Sequence, residues 1–331
     1  MLLSIIVPAY NSEKTIEKCL YSIINQSFDD YELIVINDGS NDSTLSIVER
    51  IIEENKSKNI RVITQENKGL PQSRKVGVNN AKGTYIGFVD SDDWIEADMY
   101  QNLIQYALRV DADMSYCKMS FDYSNAIDVQ RQLIDDGTVL SGKEALHVLH
   151  NRIGIEGSFC NKIIKKSMFC GVKFPIGGIL QEDYIVVEQI LLKAARVICV
   201  DKLGYHYVQY NGSMALSGYG EVMERGYHNY KRMLREVRYS GDKQLVLDMD
   251  NYMVNNFMWI VLGMDKNKNY DWEKIKWVKK YIRKRIFSIV MNKNNTLLCK
   301  GTCLVMCFSY SVVANVYRLY RKKMYIWNSL S

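Results

Sequence analysis

Several familiar signatures are missing from this 331-residue sequence. Its eight cysteines include no Cys-x-x-Cys pair, and no histidine pair accompanies them at zinc-site spacing. This disfavours a zinc or disulfide framework and favours reduced thiols in the cytoplasm. No basic leader precedes the apolar residues 3–7, which end at Pro8, so we expect a buried strand here rather than a secretion signal.

The glycine-rich motifs of common nucleotide-binding proteins are also absent. No G-x-G-x-x-G follows the first apolar run, and no G-x-x-x-x-G-K-[ST] occurs anywhere. Dehydrogenase and P-loop interpretations therefore lose their main support. With 47% hydrophobic and 24% charged residues the composition is that of a folded protein, and the length allows either one extended domain or two.

The first hundred residues repeat a strand-and-helix pattern. Apolar, β-branched runs occur at 3–7, 33–36, 60–63 and 85–89, and the stretches between them have helical periodicity. This predicts four βα units with parallel strands, a Rossmann-like α/β fold. Asn11 or Ser12 is expected to cap the first helix, and Pro71 to open the third.

Polar residues follow each predicted strand. In an open α/β sheet, ligands bind beyond the carboxyl ends of the strands, so these segments are the candidate site. They are Pro8–Asn11, Asn37–Ser40, Gln65–Gly69 and Asp90–Trp94.

Asp90, Asp92 and Asp93 place three carboxylates within four residues. Such crowding at a strand end requires a cation or strong donors. Mg²⁺ or Mn²⁺ suits hard oxygen ligands and binds through one or two carboxylates together with substrate phosphates, which predicts a diphosphate substrate. Alternatively, Asp92 or Asp93 caps a helix that begins near Trp94, which accounts for one of the carboxylates and not for all three.

Three further side chains at the strand ends suit a nucleotide. Asp38 can accept hydrogen bonds from a base or ribose, Tyr10 can stack on a base, and Arg74 can pair with phosphate. Each alone is equally typical of a turn, a packed ring or a solvated cation. Their joint position favours nucleotide binding.

Four motifs together carry a resemblance to a known family. Residues 4–11, 37–40, 68–74 and 87–94 closely resemble the family 2 glycosyltransferases of the GT-A fold. The match spans about the first 115 residues, and a weaker likeness continues through 160–162, 181–183 and 205–213. The resemblance implies an inverting sugar transfer from a nucleotide sugar, usually a uridine diphosphate sugar.

The resemblance also implies roles for particular residues. A nucleoside would be held by Pro8, Tyr10, Asp38 and Arg74. Asp90, Ser91 and Asp92 would form the D-x-D motif that engages ribose and metal, with Asp92 on the metal and Asp93 as an alternative ligand. Asp183, the second acid of Glu182-Asp183, would be the general base, a role compatible with a position at a helix start.

The sequence departs from the family pattern in two places. Asn37 stands where the family often has aspartate, while Asp38 is retained. Val208 and Tyr210 stand where arginines are common, which removes expected diphosphate contacts. His206 either takes over part of that role or is a packed, hydrogen-bonded residue.

The last third of the chain is basic. Residues 272–291 form a predicted basic amphipathic helix, which can lie on anionic lipid or pack on the catalytic domain as a solvated helix. The apolar segment 302–317 falls short of the roughly twenty residues that span a bilayer. Basic and aromatic residues follow it, so we expect peripheral attachment to the inner face of the cell membrane.

These observations predict a GT-A catalytic domain over 1–215, with a nucleotide-sugar half (1–115) and an acceptor half (116–215), and an α-helical region over 216–331. The expected acceptor is a hydroxyl of a glycolipid or growing cell-surface polysaccharide, and no nucleic-acid partner is expected. Two alternatives stay open. One is a sugar-phosphate nucleotidyltransferase, although its glycine- and arginine-rich N-terminal loop is absent. The other is a non-catalytic, membrane-associated carbohydrate-binding subunit, suggested by Val208 and Tyr210.

Overall fold

A computed structural model describes residues 1–123, 126–130, 132–176, 182–209, 228, 231–235, 237–238, 241–267, 270–293 and 295–319. The chain forms two compact units, Met1–Ser213 and Met214–Ser331. The functional division of the first unit at residue 115 stays a prediction.

The described part of the first unit has ten strands in one sheet. They are β1 Leu3–Ala9, β2 Tyr31–Asn37, β3 Ile60–Thr64, β4 Tyr85–Phe88, β5 Trp94–Ile95, β6 Met114–Tyr123, β7 Ala126–Val129, β8 Val139–Leu140, β9 Lys162–Lys165 and β10 Val197–Val208. Their order is β3-β2-β1-β4-β9-β6-β10-β5, with β7 paired to β6 and β8 to β10.

The sheet is mostly parallel. β3, β2, β1 and β4 pair in parallel, which confirms the four predicted βα units, and β10 pairs in parallel with β6. β9 lies antiparallel between β4 and β6. Because β9 runs the opposite way, its beginning lies at the carboxyl ends of its neighbours, where the candidate site was expected.

Six α-helices accompany these strands: α1 Ile16–Ile24, α2 Thr44–Glu54, α3 Leu70–Asn80, α4 Met99–Val110, α5 Gly142–Asn151 and α6 Glu182–Leu191. The predicted apolar face of α1 is buried against the sheet, and Pro71 lies in the first turn of α3 as expected. A 3₁₀ turn spans Lys166–Phe169.

Two local predictions are wrong. Thr15, and not Asn11 or Ser12, occupies the position before α1, and no side chain caps that helix. The Ser12 carbonyl instead accepts the amides of Thr15 and Ile16 in a preceding turn. No helix begins near Trp94 either, because Trp94–Ile95 pairs as a short strand with β10 and the next helix begins at Met99.

The second unit is helical where it is described. Its helices are α7 Lys243–Asn267, α8 Trp272–Arg283, α9 Ile286–Met291 and α10 Leu297–Phe308, and residues 310–319 are also helical. The predicted basic helix over 272–291 is therefore two helices. The apolar side chains of α8, Ile275, Val278 and Ile282, are buried within the unit, so the apolar side of this helix packs on protein.

No helix within the described ranges has the length and the apolar character that crossing a membrane requires.

Two helical glycines offer a matched test of packing. A Cβ atom at Gly77 of α3 would lie 2.4 Å from Cγ2 of the buried, β-branched Ile6, whereas a Cβ atom at Gly301 of α10 would meet nothing within 4 Å. We expect Gly77→Ala to lower the free energy of unfolding by about 1–3 kcal/mol through overpacking. Gly301→Ala should leave stability unchanged or raise it by up to about 1 kcal/mol, since alanine favours helix. Thermal and urea unfolding measure both, and equal effects of the two substitutions would contradict this account.

Candidate active site

The loops at the carboxyl ends of β1, β2 and β4 are tied to one another. The Asn11 amide donates to Ser40 Oγ at 3.1 Å, and the Ser12 amide donates to Thr44 Oγ1 at 2.7 Å. The hydroxyls of Ser12 and Ser91 share a hydrogen bond of 2.7 Å. Ser91, expected in the donor site, therefore links the carboxyl end of β4 to the loop after β1.

Asp38 anchors the loop between β3 and α3. Its buried carboxylate accepts hydrogen bonds from Gln65 Nε2 at 2.7 Å, from the Lys68 amide at 2.9 Å and from the Gly69 amide at 2.8 Å. Gly69 has φ of 82°, a conformation suited to glycine, and it directly precedes α3. Asp38 thus organises this loop, and its contact with a nucleoside stays a prediction.

The two predicted nucleoside-binding residues of β1 differ in exposure. Pro8 is buried in the sheet opposite Ile36 of β2. Tyr10 follows the end of β1 and is 48% exposed. A ring in this position is accessible to a base, whereas Pro8 can shape the site only from within the strand.

Arg74 contributes the central cation of the site. Its guanidinium, 1% exposed, donates to Asp90 Oδ1 at 2.8 Å, to Glu182 Oε1 at 3.2 Å and to Asp183 Oδ1. The guanidinium carbon also lies 5.5 Å from the centre of the Phe159 ring. Arg74 was expected to pair with phosphate or to help hold a nucleoside, and in the structure it pairs with protein carboxylates.

The Arg74 contacts bring together residues that are far apart in sequence. Asp90 comes from the carboxyl end of β4, and Asp183 from the first turn of α6, where its second oxygen accepts the Phe159 amide at 3.3 Å. Burial raises the pKa of Asp183 and of Glu182, and the positive charge of Arg74 opposes that rise. A carboxylate with a raised pKa is a stronger base than an ordinary surface carboxylate.

Asp92 differs from its two acidic neighbours. It is exposed, and no other side chain in the described ranges pairs with its carboxyl group. Even so, the surrounding protein removes part of the hydration of that carboxyl, and this desolvation together with the charge of Asp90 raises the pKa of Asp92 to about 6. The arrangement is suited to a carboxylate that gains a cation from solution.

Asp93 is buried and bonded within the protein. Its Oδ2 accepts the Tyr205 hydroxyl at 2.5 Å, and its Oδ1 accepts the Val208 amide at 2.8 Å. Burial, followed by the charges of Asp90 and Asp92, raises its pKa well above the ordinary range. The helix-capping interpretation of Asp93 is wrong, because it joins β10 to the loop after β4.

His206 occupies the position where a diphosphate contact was considered. Its Nδ1 lies 2.9 Å from Ser120 Oγ and 3.0 Å from Asp122 Oδ2, and its Nε2 lies 2.9 Å from Glu96 Oε1. The ring stacks on Trp94 with centroids 3.5 Å apart. Both nitrogens therefore have protein partners, which fits the packed, hydrogen-bonded alternative; Tyr210 lies outside the described residues.

Two residues without predicted roles complete the surroundings of Asp90. Cys160 Sγ donates to Asp90 Oδ2 at 3.2 Å, and the Tyr205 hydroxyl accepts the Asp90 amide at 3.2 Å. Both lie in the segments of weaker family likeness, 160–162 and 205–213, and that likeness was the only sign in the sequence that they belong to the site. Cys160 reaches the site because it lies two residues before the antiparallel β9.

The acidic residues can be compared with the needs of a divalent cation. Within the described part of the chain, no group of three or more His, Cys, Asp or Glu side chains is arranged to hold a metal ion. Mg²⁺ and Mn²⁺ sites commonly use only one or two carboxylates, with substrate phosphates completing the shell. The exposed, unpaired Asp92 fits that need better than Asp93, whose two oxygens already accept hydrogen bonds.

Comparison with known proteins defines the family. The family model named glycosyl transferase family 2 matches residues 4–169, half of the sequence. The chain belongs to this family.

Similar proteins include a cholesterol galactosyltransferase of Borreliella burgdorferi, 32% identical over 224 residues that cover 65% of this chain and 62% of that protein. Glycosyltransferase GlyA of Streptococcus pneumoniae is 32% identical over 221 residues, covering 64% of this chain and 31% of GlyA. The matches thus span less than two thirds of either relative. Putative glycosyltransferase EpsH of Bacillus subtilis is 27% identical over 325 residues and is covered to 92% of its length.

Solved structures show the same fold. TarS residues 1–349 of S. aureus, in complex with UDP-GlcNAc, have a TM-score of 0.72 and 21% identity, with 96% of this chain and 92% of that chain covered. Mannosyltransferase PcManGT of Pyrobaculum calidifontis, in complex with GDP-Man and Mn²⁺, has a TM-score of 0.53 and 14% identity, covering 97% of this chain and 87% of that one. The predicted GT-A fold with C-terminal helices is confirmed.

The Tyr205 hydroxyl gives a test of the buried network. Tyr205→Phe leaves Asp93 Oδ2 and the Asp90 amide without their partner, so we expect the free energy of unfolding to fall by about 1–3 kcal/mol. Tyr123→Phe is the matched control, because Tyr123 is 51% exposed and its loss should change stability by less than about 0.5 kcal/mol. Urea unfolding measures both. Wild-type stability in Tyr205→Phe would show that the hydroxyl does not satisfy this network.

Proposed function

We propose that this glycosyltransferase transfers a sugar, with inversion, from a uridine diphosphate sugar to a hydroxyl of a glycolipid or growing polysaccharide. Asp183 acts as the general base, and Asp92 would hold a divalent cation, which would supply positive charge to the leaving diphosphate. The observation that carries the proposal is the position of Asp183 on the same buried guanidinium as Asp90. One cation thereby fixes the candidate base relative to the donor-side carboxylate.

The donor side of the proposal is supported by the tied loops and by the similar proteins. Tyr10, Asp38 and Ser91 all lie in loops at the carboxyl ends of the sheet, where a nucleotide is expected in an α/β fold. The TarS neighbour was solved with UDP-GlcNAc and also with UDP. A glycolipid or polysaccharide acceptor is supported by the related cholesterol galactosyltransferase and by a related chondroitin synthase.

The base side follows from the position of Asp183. One of its oxygens is held by Arg74 and the other by the Phe159 amide, so the carboxylate has a fixed orientation. Its side chain is partly exposed, which leaves it accessible to an acceptor hydroxyl. The proposed step is removal of the hydroxyl proton by Asp183 while the acceptor oxygen forms a bond to the anomeric carbon and the bond to the diphosphate breaks.

A bound divalent cation would stabilise the negative charge that develops on the leaving diphosphate. Asp92 would hold it, and the hydrogen-bonded Asp93 would fix the backbone that carries Asp92. Asp90 is held by Arg74 and Cys160, which orients it for a hydroxyl of the ribose.

The adjacent acids Asp183 and Glu182 provide a matched test of the base. Asp183→Asn removes the proton acceptor while preserving shape, so we expect the transfer rate to fall by about 10²–10⁴-fold with little change in UDP binding. Glu182→Gln disturbs the same guanidinium and should keep most of the activity. Release of UDP in the presence of an acceptor measures turnover, and UDP affinity is measured by calorimetry.

An equal loss of turnover in both variants would mean that the Arg74 cluster acts structurally, and would remove Asp183 as the base. Pyrophosphate as the product would instead favour nucleotidyl transfer. UDP-sugar binding without hydrolysis or transfer, across a broad acceptor panel, would favour the non-catalytic alternative.

The metal assignment is tested by exchanging each neighbouring aspartate for asparagine. Asp92→Asn should weaken activation by Mn²⁺ by more than about tenfold, because a direct ligand is lost. Asp93→Asn keeps an oxygen for the Val208 amide and an amide group facing the Tyr205 hydroxyl, so its Mn²⁺ dependence should match the wild type. Mn²⁺ titrations of UDP release compare the two, and the opposite ranking would move the ligand to Asp93.

A further inference from the structure

Helix α10 in the second unit is apolar on both of its sides. Its outward residues Leu297, Leu298, Leu304, Val305 and Phe308 lie within about a third of the helix circumference. We call these five side chains the α10 face. Leu297 is 87% exposed and Phe308 is 80% exposed.

The opposite side of α10 is packed against the protein. Cys303, Met306 and Cys307 are buried there. Apart from Lys300 and Thr302, α10 is built of apolar and small residues. A helix with apolar residues on opposite sides normally has both sides in contact with protein or lipid, since water on either side leaves apolar surface unburied. The α10 face is therefore suited to an apolar environment that the described residues of the second unit do not provide.

The neighbouring helices expose apolar side chains as well. Phe287 of α9 is 78% exposed, and Met291, one helical turn later, is also exposed. In the helical segment 310–319, Val312, Val316 and Leu319 are exposed at spacings of four and three residues, along one side. Single exposed apolar residues are ordinary, but a concentration of this kind marks an interaction surface.

The net charge of the chain after Glu273 indicates which type of partner the α10 face binds. The 58 residues after Glu273 contain 13 lysine and arginine residues and no aspartate or glutamate. The 273 residues up to Glu273 contain 30 basic and 37 acidic residues. The apolar surface thus lies in a strongly cationic segment, which attracts an anionic surface and repels a second copy of itself.

Two of these cations contact the end of α10 directly. Lys279 Nζ donates to the Phe308 carbonyl at 2.6 Å, and Arg283 Nε donates to the Cys307 carbonyl at 2.6 Å. Both come from α8, whose apolar side is buried. The basic side of α8 therefore lies beside the exposed Phe308, the combination of cation and aromatic ring found where proteins meet lipid headgroups.

We propose that the second unit binds an anionic phospholipid bilayer by inserting the α10 face into the boundary between headgroups and acyl chains. The lysines of α8 lie at the level of the lipid phosphates. Insertion into lipid is thereby assigned to the α10 face, whereas the sequence pattern indicated only the C-terminal region as a whole. At twelve residues, α10 lies along the interface and does not cross it.

Flotation of the full chain with vesicles tests this assignment. Wild-type protein should float with vesicles containing phosphatidylglycerol and much less with pure phosphatidylcholine vesicles. Leu298→Gln/Phe308→Gln should reduce the bound fraction at least about tenfold, because each exposed apolar group removed from the interface weakens insertion. Lys280→Gln/Lys284→Gln should weaken binding at low salt by about fivefold for each charge, an effect that high salt removes.

A matched control is Leu108→Gln, since Leu108 of α4 is exposed but belongs to the first unit, and it should float like the wild type. Equal flotation of Leu298→Gln/Phe308→Gln and wild type would overturn the proposal. A second result would also overturn it: the wild type self-associates without lipid, and Leu298→Gln/Phe308→Gln abolishes that self-association but leaves flotation unchanged. The α10 face would then bind a second copy of the chain. UDP release by the same variants reports on the active site separately, because vesicle binding does not depend on the proposed reaction.

Discussion

The buried guanidinium of Arg74 is the interaction on which the arrangement of the first unit depends. An isolated cation in this position would cost several kcal/mol in lost hydration, so it requires carboxylates around it. Asp90, Glu182 and Asp183 supply them from β4 and α6. The same electrostatic requirement that stabilises Arg74 therefore holds the segment after β4 and the start of α6 together, and the proposed catalytic geometry follows from a structural need.

The sequence pattern was sufficient to predict most of the elements in the first half of this unit. The four apolar runs became β1 to β4, helical periodicity located α1 and α2, and Pro71 marked the start of α3, because each of these signals lies in neighbouring residues. The convergence of Asp38 and Asp90 at one edge followed from the parallel order of the strands. The partners of Arg74 could not be predicted from local sequence, because a guanidinium binds phosphate and carboxylate equally well and tertiary structure decides which of them lies nearby.

The other predictions differ from the structure because the same sequence pattern is compatible with more than one structure. Trp94 and Ile95 are adjacent to an acid that can cap a helix, but β10 offers hydrogen bonds that a local sequence cannot reveal. The apolar stripe of α8 was identified correctly, although periodicity does not state whether the stripe contacts protein or lipid. In α10 apolar residues occur on opposite sides of the helix, so only the packing shows which side faces outward.

The hydrogen bonds between Asp93 and β10 affect the order in which the chain can fold during synthesis. The first 115 residues contain nearly all of the recognisable nucleotide-sugar motif, yet Asp93 receives its donors from Tyr205 and Val208. A nascent chain released from the ribosome at residue 115 would hold the motif without the contacts that satisfy it. The Asp90–Trp94 segment is thus contiguous in sequence, but the hydrogen bonds of Asp93 form only after β10 has been synthesised.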